Sequence, residues 1–199
     1  MTSHPIDIIS EFCDEHSEIR QLEFGIYRYT PQSVADERRV VHISAPAIRR
    51  RVPQMSAALE QHQELAMHSR VKLLENDVRH LPMIDFVGDI SEGHIDRVRS
   101  VAWDFGCRRV AVFRTGRSYH AYLLTLVPHE VWLRFLARLI LLNLPSEVPW
   151  IDTRWVGHAL MAGFSSLRWT HHTKSYLAMP RLACELDVEQ DRVAIAENV

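Results

Sequence analysis

The stretch "RRVAVFRTGRSYHAYLLTLV", residues 108–127, predicts a β-hairpin. Strand-forming residues lie on both sides of Gly116, and glycine is the residue type that a tight turn needs. The turn carries more polar groups than its geometry requires, because Arg114 and Arg117 flank the glycine and His120 follows at the start of the return strand. Guanidinium groups match phosphate oxygens geometrically, so this composition indicates an anion site.

Thr115 and Ser118 add hydroxyl groups to the same turn. Two interpretations stay open from the residues alone. Either the turn holds an anion, with backbone N–H groups near Gly116 approaching the ligand, or it is an ordinary satisfied turn followed by a core histidine.

Strands and helices alternate along the rest of the chain. Besides the hairpin, we predict helices over 5–16, 53–74, 91–106, 128–145 and 155–163, and strands over 21–29, 38–44, 79–89, 166–170 and 175–178. This order favours an α+β fold with mixed or antiparallel sheets flanked by helices over a doubly wound parallel sheet. The chain has neither a GxGxxG nor a P-loop motif, which excludes those two nucleotide fingerprints.

The composition is that of an ordinary globular protein. A formal net charge of −2 and an isoelectric point near 6.6 exclude a global basic field. The three cysteines are far apart, which fits a reducing compartment and argues against a disulfide framework or a zinc knuckle. The longest apolar stretch, "LARLILLNLP", is too short to span a bilayer. We expect a soluble cytoplasmic protein without a membrane partner.

Two acids lie in apolar surroundings at predicted strand ends, Asp85 in "MIDFVGD" and Asp152 in "WIDTRW". A buried carboxylate is costly unless a cation pairs with it. Asp85 is therefore either a cation ligand or an acid that caps a turn or pairs with an arginine, and Asp152 is either a ligand or a helix N-cap. Carboxylate oxygens suit Mg²⁺ or Mn²⁺, which bridge the phosphates of nucleotides.

A basic segment, "FSSLRWTHHTK", follows at residues 164–174. It places Arg168, His172 and Lys174 around Trp169. Basic side chains interleaved with tryptophans indicate a stacking and phosphate-binding surface, or alternatively the rim of a tryptophan-rich core.

The order of these motifs resembles that of the archaeo-eukaryotic primase superfamily, the primase-polymerases, and in particular its primase 1D-like group. Members carry an acidic motif at a strand end, a Ser-x-His motif on a hairpin and a later hydrophobic-Asp motif. The matching stretches here are "IDF" at 84–86, "SYH" at 118–120 and "WID" at 150–152, while "SSLRWT" at 165–170 resembles the basic strand that follows.

The resemblance covers roughly residues 75–180 and implies the RRM-like architecture of a primase-polymerase catalytic core. We expect one primase-like domain over 1–199. It would consist of an N-terminal subdomain of about 1–75, a motif-bearing RRM-like part of about 76–182 and a polar tail, 186–199.

The resemblance also assigns roles. Asp85 and Asp152 would hold a catalytic Mg²⁺ or Mn²⁺. His120 would be the third catalytic residue and, together with Ser118 and Arg168, would contact the phosphates of the incoming nucleotide. Local chemistry adds further phosphate-binding candidates, which are Arg114, Arg117, His172 and Lys174.

One position departs from the family pattern. The second acid of the Asp-x-Asp motif would be residue 87, and this chain has Val87 there. Asp89 follows after Gly88, but residues 85 and 89 of an extended strand are roughly 13 Å apart. Asp89 would become a third metal ligand only if the chain turned sharply at Gly88.

The residues and the resemblance together predict a primase- or polymerase-like nucleotidyltransferase. It would act on nucleoside triphosphates and a DNA or RNA template in replication or repair, with a protein partner in trans. The alternative is a non-catalytic, primase-like module that binds a nucleotide or nucleic acid inside a larger assembly. A divergent scaffold without a ligand is the third interpretation.

Overall fold

The structure, a computed structural model, describes residues 3–30, 33, 37–174 and 176–189. The helices are α1 (Pro5–Glu15), α2 (Ile48–Ala57), α3 (Glu92–Asp104), α4 (His129–Ile140) and α5 (Thr153–Ala162), and a 3₁₀ turn at Ala45–Ala47 precedes α2. The strands are β1 (Ile19–Arg28), β2 (Arg38–Ser44), β3 (Gln63–Leu73), β4 (Val78–His80), β5 (Met83–Asp85), β6 (Arg109–Arg114), β7 (Tyr119–Leu123), β8 (Ser166–Arg168) and β9 (Arg181–Asp187).

Two sheets form the framework. Sheet A has the strand order β2-β1-β3-β4, with β8 also paired to β3, and sheet B has the order β5-β7-β6-β9. The pairings between the described strands are antiparallel. The predicted α+β class, with antiparallel sheets flanked by helices, is confirmed. The predicted hairpin is present as β6 and β7, which are in register from Val110–Leu123 to Arg114–Tyr119.

Two apolar cores hold the layers together. The first includes residues of α1, α2 and sheet A, with Phe24, Leu65 and Trp169 among its buried side chains. The second lies between sheet B and the helices α3, α4 and α5, and contains Trp132 and Phe135 of α4. Because successive side chains of a strand point to opposite faces, β5 and β7 contribute to both cores.

The segment 79–89, predicted as one strand, is divided at Pro82. Proline cannot donate to a strand ladder, so the chain leaves one sheet there and enters the other. β4 pairs with β3 of sheet A, and β5 pairs with β7 of sheet B. This division places Asp85 at the end of β5, which is the outermost strand in the order of sheet B.

The predicted helix over 53–74 is wrong. Helix α2 ends at Ala57, and β3 occupies 63–73 as an inner strand of sheet A. Leu65 and Met67 enter the first core, while Ala66 and His68 alternate with them and are also buried. A strand buried on both faces lacks the polar half of the period-2 pattern, so pairing with β1, rather than local propensity, decides its conformation.

Two predictions at the C-terminal side also need correction. Residues 176–178 form no strand, and Ser175 lies outside the described residues; the next strand is β9. The predicted polar tail begins too early, because residues 186 and 187 belong to β9 and Leu186 is buried in the second core. Residues 190–199 of that tail lie outside the described part of the chain.

The predicted subdomain boundary near residue 75 does not divide the two sheets, because β4 and β8 join sheet A from beyond it. The domain division remains a prediction. In the part of the chain that the structure describes, none of the helices has the length and apolar character needed to cross a membrane.

Candidate active site

The three motif residues Asp85, His120 and Asp152 lie in one row across sheet B. Asp85 at the end of β5 is the register partner of His120 on β7. On the other side of β5, an antiparallel bridge joins Phe86 to Ile151, and the N–H of Asp152 donates to the carbonyl of Asp85 at 3.0 Å. Cross-strand neighbours on one face have Cβ atoms roughly 4.5–5.5 Å apart, so the row brings three polar side chains within reach of one ligand.

Asp85 is the central residue of the row, and its side chain is 23% exposed. Burial, followed by the negative charge of Asp152, raises the pKa of Asp85 to about 8, although the positive charge of Arg168 opposes the shift. Without a cation, this carboxyl group is therefore mostly protonated at neutral pH. A cation between the two acids would reverse that preference, because it would stabilise both negative charges.

His120 is buried, and its Nε2 lies 3.5 Å from Oδ1 of Asp85. Burial and then the nearby charge of Arg168 lower the pKa of His120 to about 3, so the imidazole is neutral. The contact between His120 and Asp85 is consequently not an ion pair at neutral pH. Nδ1 of His120 is buried without a hydrogen-bond partner among the described residues, which is rare for a polar atom.

Asp152 is the N-cap of α5. Its Oδ1 accepts a hydrogen bond from the N–H of Trp155 at 2.9 Å. The helix-capping interpretation is therefore correct, and it does not exclude metal binding. One carboxylate oxygen serves the helix, and a carboxylate has a second oxygen that can bind a cation.

Arg168, at the end of β8, places a guanidinium group near the row. It is 5% exposed and donates to the carbonyl oxygens of Thr170 and, at 3.0 Å, of Ala178. Its guanidinium carbon stands 4.1 Å from the centre of the Tyr176 ring. Both hydrogen bonds go to neutral acceptors, and its charge influences Asp85 and His120.

The loop after β8 is held by residues that the motif pattern does not include. Buried Glu64 accepts hydrogen bonds from the hydroxyl of Thr170 and from the N–H groups of His172 and Thr173, at 2.9 and 2.7 Å. The Tyr176 hydroxyl lies 3.2 Å from that of Tyr27, two residues that are 149 positions apart. No short-range sequence pattern could reveal such pairings; only a correct strand prediction for 63–73 would have placed Glu64 beside β8.

The tip of the hairpin does not form the predicted anion cradle by itself. Thr115 and Ser118 are bonded to each other across the turn, through Thr115 N–H to Ser118 O at 2.8 Å and between the two hydroxyls at 3.1 Å. Arg114 and Arg117 are exposed, and Nε of Arg114 donates to the Gly116 carbonyl at 3.2 Å. The polar groups of Thr115 and Ser118 thus satisfy each other within the turn, as the alternative interpretation predicted. His120 lies outside the turn and belongs to the row.

Gly116 has a close neighbour as well as a special conformation. Its φ angle is +114°, and a Cβ atom there would lie 2.9 Å from Cβ of Leu177. The hairpin tip therefore packs on the segment that also carries Tyr176 and Ala178. This contact places the turn near Arg168, even though its own arginines point to solvent.

Val87 and Asp89 show what the row lacks. Val87 is 48% exposed, and its N–H donates to the Trp150 carbonyl at 2.8 Å. Gly88 has a φ angle of +72°, yet Asp89 stays exposed. Within the described residues, no group of three or more His, Cys, Asp or Glu side chains could hold a metal ion, so Asp89 is not joined to the two acids of the row.

The two remaining candidates lie on the surface. His172 and Lys174 are exposed, and Nε2 of His172 lies 3.4 Å from the Ser56 hydroxyl of α2. The structure thus brings Asp85, His120, Asp152 and Arg168 together, and leaves these two residues on the adjoining loop.

A protein-family model described as archaeo-eukaryotic primase 1D-like (AEP-like) matches residues 49–181, about two thirds of the chain. The chain belongs to this family. The match includes the whole row and Arg168, so the resemblance inferred from the motifs is confirmed.

The archaeo-eukaryotic primase 1D-like chain also has a structural relative. The crystal structure of primase RepB' aligns with a TM-score of 0.55 and 13% sequence identity, over 97% of this chain and 64% of that chain. At this identity the likeness shows a shared fold. The chain spans 64% of the length of the RepB' structure. A search of curated proteins finds no match.

Proposed function

We propose that this primase-like domain is a nucleotidyltransferase that adds nucleotides to a nucleic-acid strand by divalent-metal-dependent phosphoryl transfer. The observation that carries the proposal is the placement of Asp85 and Asp152 on hydrogen-bonded neighbouring segments, with His120 beside them. Two acids brought together in a partly buried site raise each other's cost of ionisation, and such perturbed pairs cluster at functional sites.

The donor set suits one Mg²⁺ or Mn²⁺ ion. Mg²⁺ in phosphoryl-transfer sites is commonly bound by one or two carboxylates together with substrate phosphates. Asp85 and Asp152 would supply the carboxylates, and the metal would lower the negative charge that builds up on the transferred phosphoryl group. The described residues do not provide a third acid for a second ion.

His120 and Arg168 are proposed to bind the triphosphate of the incoming nucleotide. The buried Nδ1 of His120 has no protein partner among the described residues, so a phosphate oxygen can complete its hydrogen bonding. Arg168 is fixed by two carbonyl groups and the Tyr176 ring, which removes the entropy cost of ordering it on binding. The remaining candidates would make secondary phosphate contacts; they are Ser118, Arg114, Arg117, His172 and Lys174.

A second candidate function follows from Val87. With one acid of the family motif replaced by an exposed apolar side chain, the site can bind a nucleotide and still be too poor in metal ligands for catalysis. The protein would then be a non-catalytic module that recognises a nucleotide or nucleic-acid end within a larger assembly. Cytoplasmic location, a DNA or RNA template, a role in replication or repair and a protein partner in trans are part of both proposals.

The experiment is a primer-extension and de novo synthesis assay with Mn²⁺ or Mg²⁺, all four NTPs or dNTPs, and a single-stranded template. We expect product from the wild type and at least a 100-fold loss in Asp152→Asn, on the order of the effect of removing one electrostatic catalytic group. Asparagine caps a helix about as well as aspartate, so this variant should fold. Asp77→Asn, at an exposed acid paired with Arg79, is the matched control.

The outcomes separate the two candidates. Wild-type product that Asp152→Asn loses and Asp77→Asn retains supports the enzyme. If the wild type yields no product but a nucleoside triphosphate raises its melting temperature, and His120→Ala and Arg168→Ala abolish that shift, the binding module is supported instead. Absence of both product and thermal shift contradicts both proposals.

A further inference from the structure

A surface groove of about 500 Å³ opens on sheet A, away from the row of motif residues. Its walls come from neighbouring strands and include Tyr27, Arg28, Arg38 and Arg39. The volume lies in the range of ligand sites, which is roughly 300–1,000 Å³. Three arginines along one groove indicate a ligand with negative charge.

The side chain of Arg38 packs over Gly25 of β1, in the space that a larger residue at position 25 would fill. Gly25 occupies the middle of that strand, and a Cβ atom there would come within 2.5 Å of Nε2 of His68 and 2.8 Å of Cδ of Arg38. A glycine inside a strand weakens the strand, and it often marks a site where another group approaches closely. The free space over Gly25 lets Nη1 of Arg38 donate to Nε2 of His68 at 3.0 Å and to Oγ of Ser166 at 2.7 Å.

Buried Glu23 fixes the direction of the contact between His68 and Arg38. Nδ1 of His68 lies 2.7 Å from Oε1 of Glu23, which also accepts hydrogen bonds from Arg70. A carboxylate only accepts, so the proton of the imidazole is on Nδ1, and Nε2 is left as the acceptor for the guanidinium. The guanidinium carbon of Arg38 also stands 4.8 Å from the centre of the Tyr27 ring. These contacts hold Arg38 in one orientation at the wall of the groove.

The charges of the groove favour a strand over a compact anion. Two glutamates, Glu37 and Glu60, lie among the three arginines, and Glu60 pairs with Arg28 at 3.2 Å. This balance is too weak for a triphosphate, whose charges are concentrated at one point. It suits a polymer that carries one charge per nucleotide and meets the arginines one phosphate at a time.

We infer that this groove binds the phosphodiester backbone of a single-stranded nucleic acid, with the exposed Arg28 and Arg39 as its main phosphate contacts and Arg38 as part of its wall. The inference rests on the proposed function, since it assigns the path of the strand on which that function acts. It adds a site in the N-terminal half of the chain, outside the motif residues.

A chain of contacts through two tyrosines connects the groove with Arg168, which lies near the row. Tyr27 lines the groove, and its hydroxyl meets that of Tyr176, over which Arg168 stands at 4.1 Å. Tyr29 is 44% exposed, and its ring centre lies 5.4 Å from that of Tyr176. An exposed ring beside a cationic groove provides a stacking surface for bases. A strand in the groove would therefore lie with its bases near Tyr29 and lead toward Arg168.

The test is binding of a 5′-fluorescein-labelled 20-nucleotide oligo(dT) or oligo(U) to the full chain, measured by fluorescence anisotropy without free nucleotide. The variants are Arg39→Glu and the double variant Arg28→Glu/Arg39→Glu, both at exposed positions. Arg20→Glu is the matched control, because Arg20 is an exposed arginine at the opposite end of the same strand β1 as Arg28. Gly25→Ala is a further variant that keeps every charge and displaces the side chains of His68 and Arg38 at the wall of the groove.

The expected result is at least a 10-fold weaker affinity in the double variant and a change of less than about twofold in Arg20→Glu. The slope of log K against log salt should fall by about 1.4 in the double variant, because each phosphate contact of a single strand contributes about 0.7. Gly25→Ala should weaken binding while circular dichroism shows an intact fold. Binding that the double variant loses and Arg20→Glu retains supports the inference, and the oligonucleotide that the wild type binds more tightly identifies the strand chemistry.

Equal affinities of the double variant and Arg20→Glu overturn the inference, as does a wild type that binds neither oligonucleotide. The thermal shift caused by a nucleoside triphosphate is measured in the same variants. If the double variant also loses that shift, the groove is part of the nucleotide site and the inference is wrong. If the shift persists while oligonucleotide binding is unaffected, only the groove is excluded and the nucleotide site stands.

Discussion

Among the described residues, two buried histidines each contact a carboxylate, and the two pairs differ in how fully protein groups satisfy them. On sheet A, Glu23 contacts His68 at 2.7 Å and also receives Arg70. On sheet B, Asp85 contacts His120 at 3.5 Å. Burial alone would raise the pKa of Glu23, but the hydrogen bonds from His68 and Arg70 outweigh it and lower the pKa to about 2.

The opposite holds for Asp85, whose pKa rises to about 8 because burial and the neighbouring acid Asp152 outweigh Arg168. In the first pair, protein groups alone satisfy the hydrogen bonding and the charge of the carboxylate. The second leaves a neutral histidine with an unbonded nitrogen and an acid that does not ionise readily. Under the proposed function a ligand would complete this second pair, whereas the first pair is a structural network.

The largest expected effect is on stability. Glu23→Gln removes the negative charge that pairs with Arg70, and breaking a buried ion pair in this way costs about 3–5 kcal/mol. Asp85→Asn should instead raise the free energy of unfolding at pH 7, because the wild-type acid must take up a proton on folding and asparagine does not. Urea unfolding followed by tryptophan fluorescence measures both. An equal loss in the two variants would contradict the comparison.

The two acids should also give opposite dependences of stability on pH. Asp85 keeps a proton in the folded state that the unfolded chain releases above its ordinary pKa of 3.8, so its contribution falls as pH rises from about 4 to 8. Glu23 contributes fully above its ordinary pKa of 4.5, and that contribution is lost as pH falls through about 2.

Between pH 5 and 7 in EDTA, the wild type should therefore lose up to about 1.4 kcal/mol of unfolding free energy per pH unit, and Asp85→Asn should lack this component. Unfolding curves at pH 5, 6 and 7 provide the measurement. Parallel pH profiles of the two proteins would show that Asp85 is ionised throughout. Adding Mn²⁺ should reduce the difference, since metal binding requires the deprotonated acid.

Val87→Asp tests whether the site around Asp85 and His120 is short of one metal-binding carboxylate. The new carboxylate would lie two residues from Asp85, on the same face of an extended strand, at a position that is 48% exposed and tolerates a charge. We expect Mn²⁺ affinity, measured by isothermal titration calorimetry, to rise about tenfold, or about 1.4 kcal/mol. Val148→Asp, at an 86% exposed valine, is the matched control. Equal gains in both variants would indicate a general charge effect.

The smallest effect is expected at the hairpin tip. Arg114→Ala and Arg117→Ala should each change the affinity for a nucleoside triphosphate by less than about threefold, because exposed and solvated charges contribute little. Arg108→Ala, at an exposed arginine paired with Glu189, serves as the comparison. If the affinity falls tenfold in Arg114→Ala or Arg117→Ala and is unchanged in Arg108→Ala, the triphosphate binds at the hairpin turn, contrary to this prediction.

The row could be predicted from the sequence because each of its residues lies at the end or the start of a strand or helix, and such boundaries have local sequence signals. Asp85 ends a strand before a glycine-containing turn, His120 opens the return strand of a hairpin, and Asp152 precedes a helix, so local patterns fix each residue. Arg168 followed for the same reason. The hairpin arginines were predicted from chemical type alone, and side chains of a turn have no neighbouring strand to direct them.

The groove could not be predicted. It depends on β3, whose two buried faces resemble an apolar helix in sequence, and on contacts such as Arg38 with Ser166, which lie 128 positions apart. Gly25 in the middle of a strand was the available signal, because glycine there indicates a close approach of another group. The identity of that group, Arg38, became known only with the register of β1 and β2.

Asp152 combines the capping of α5 with a proposed role in metal binding, and a substitution can separate the two. Asparagine at position 152 would start the helix about as well as Asp152 does, so a one-atom exchange in the side chain could silence the chemistry and leave the architecture intact. The fold therefore tolerates both an enzyme and an inert copy of it.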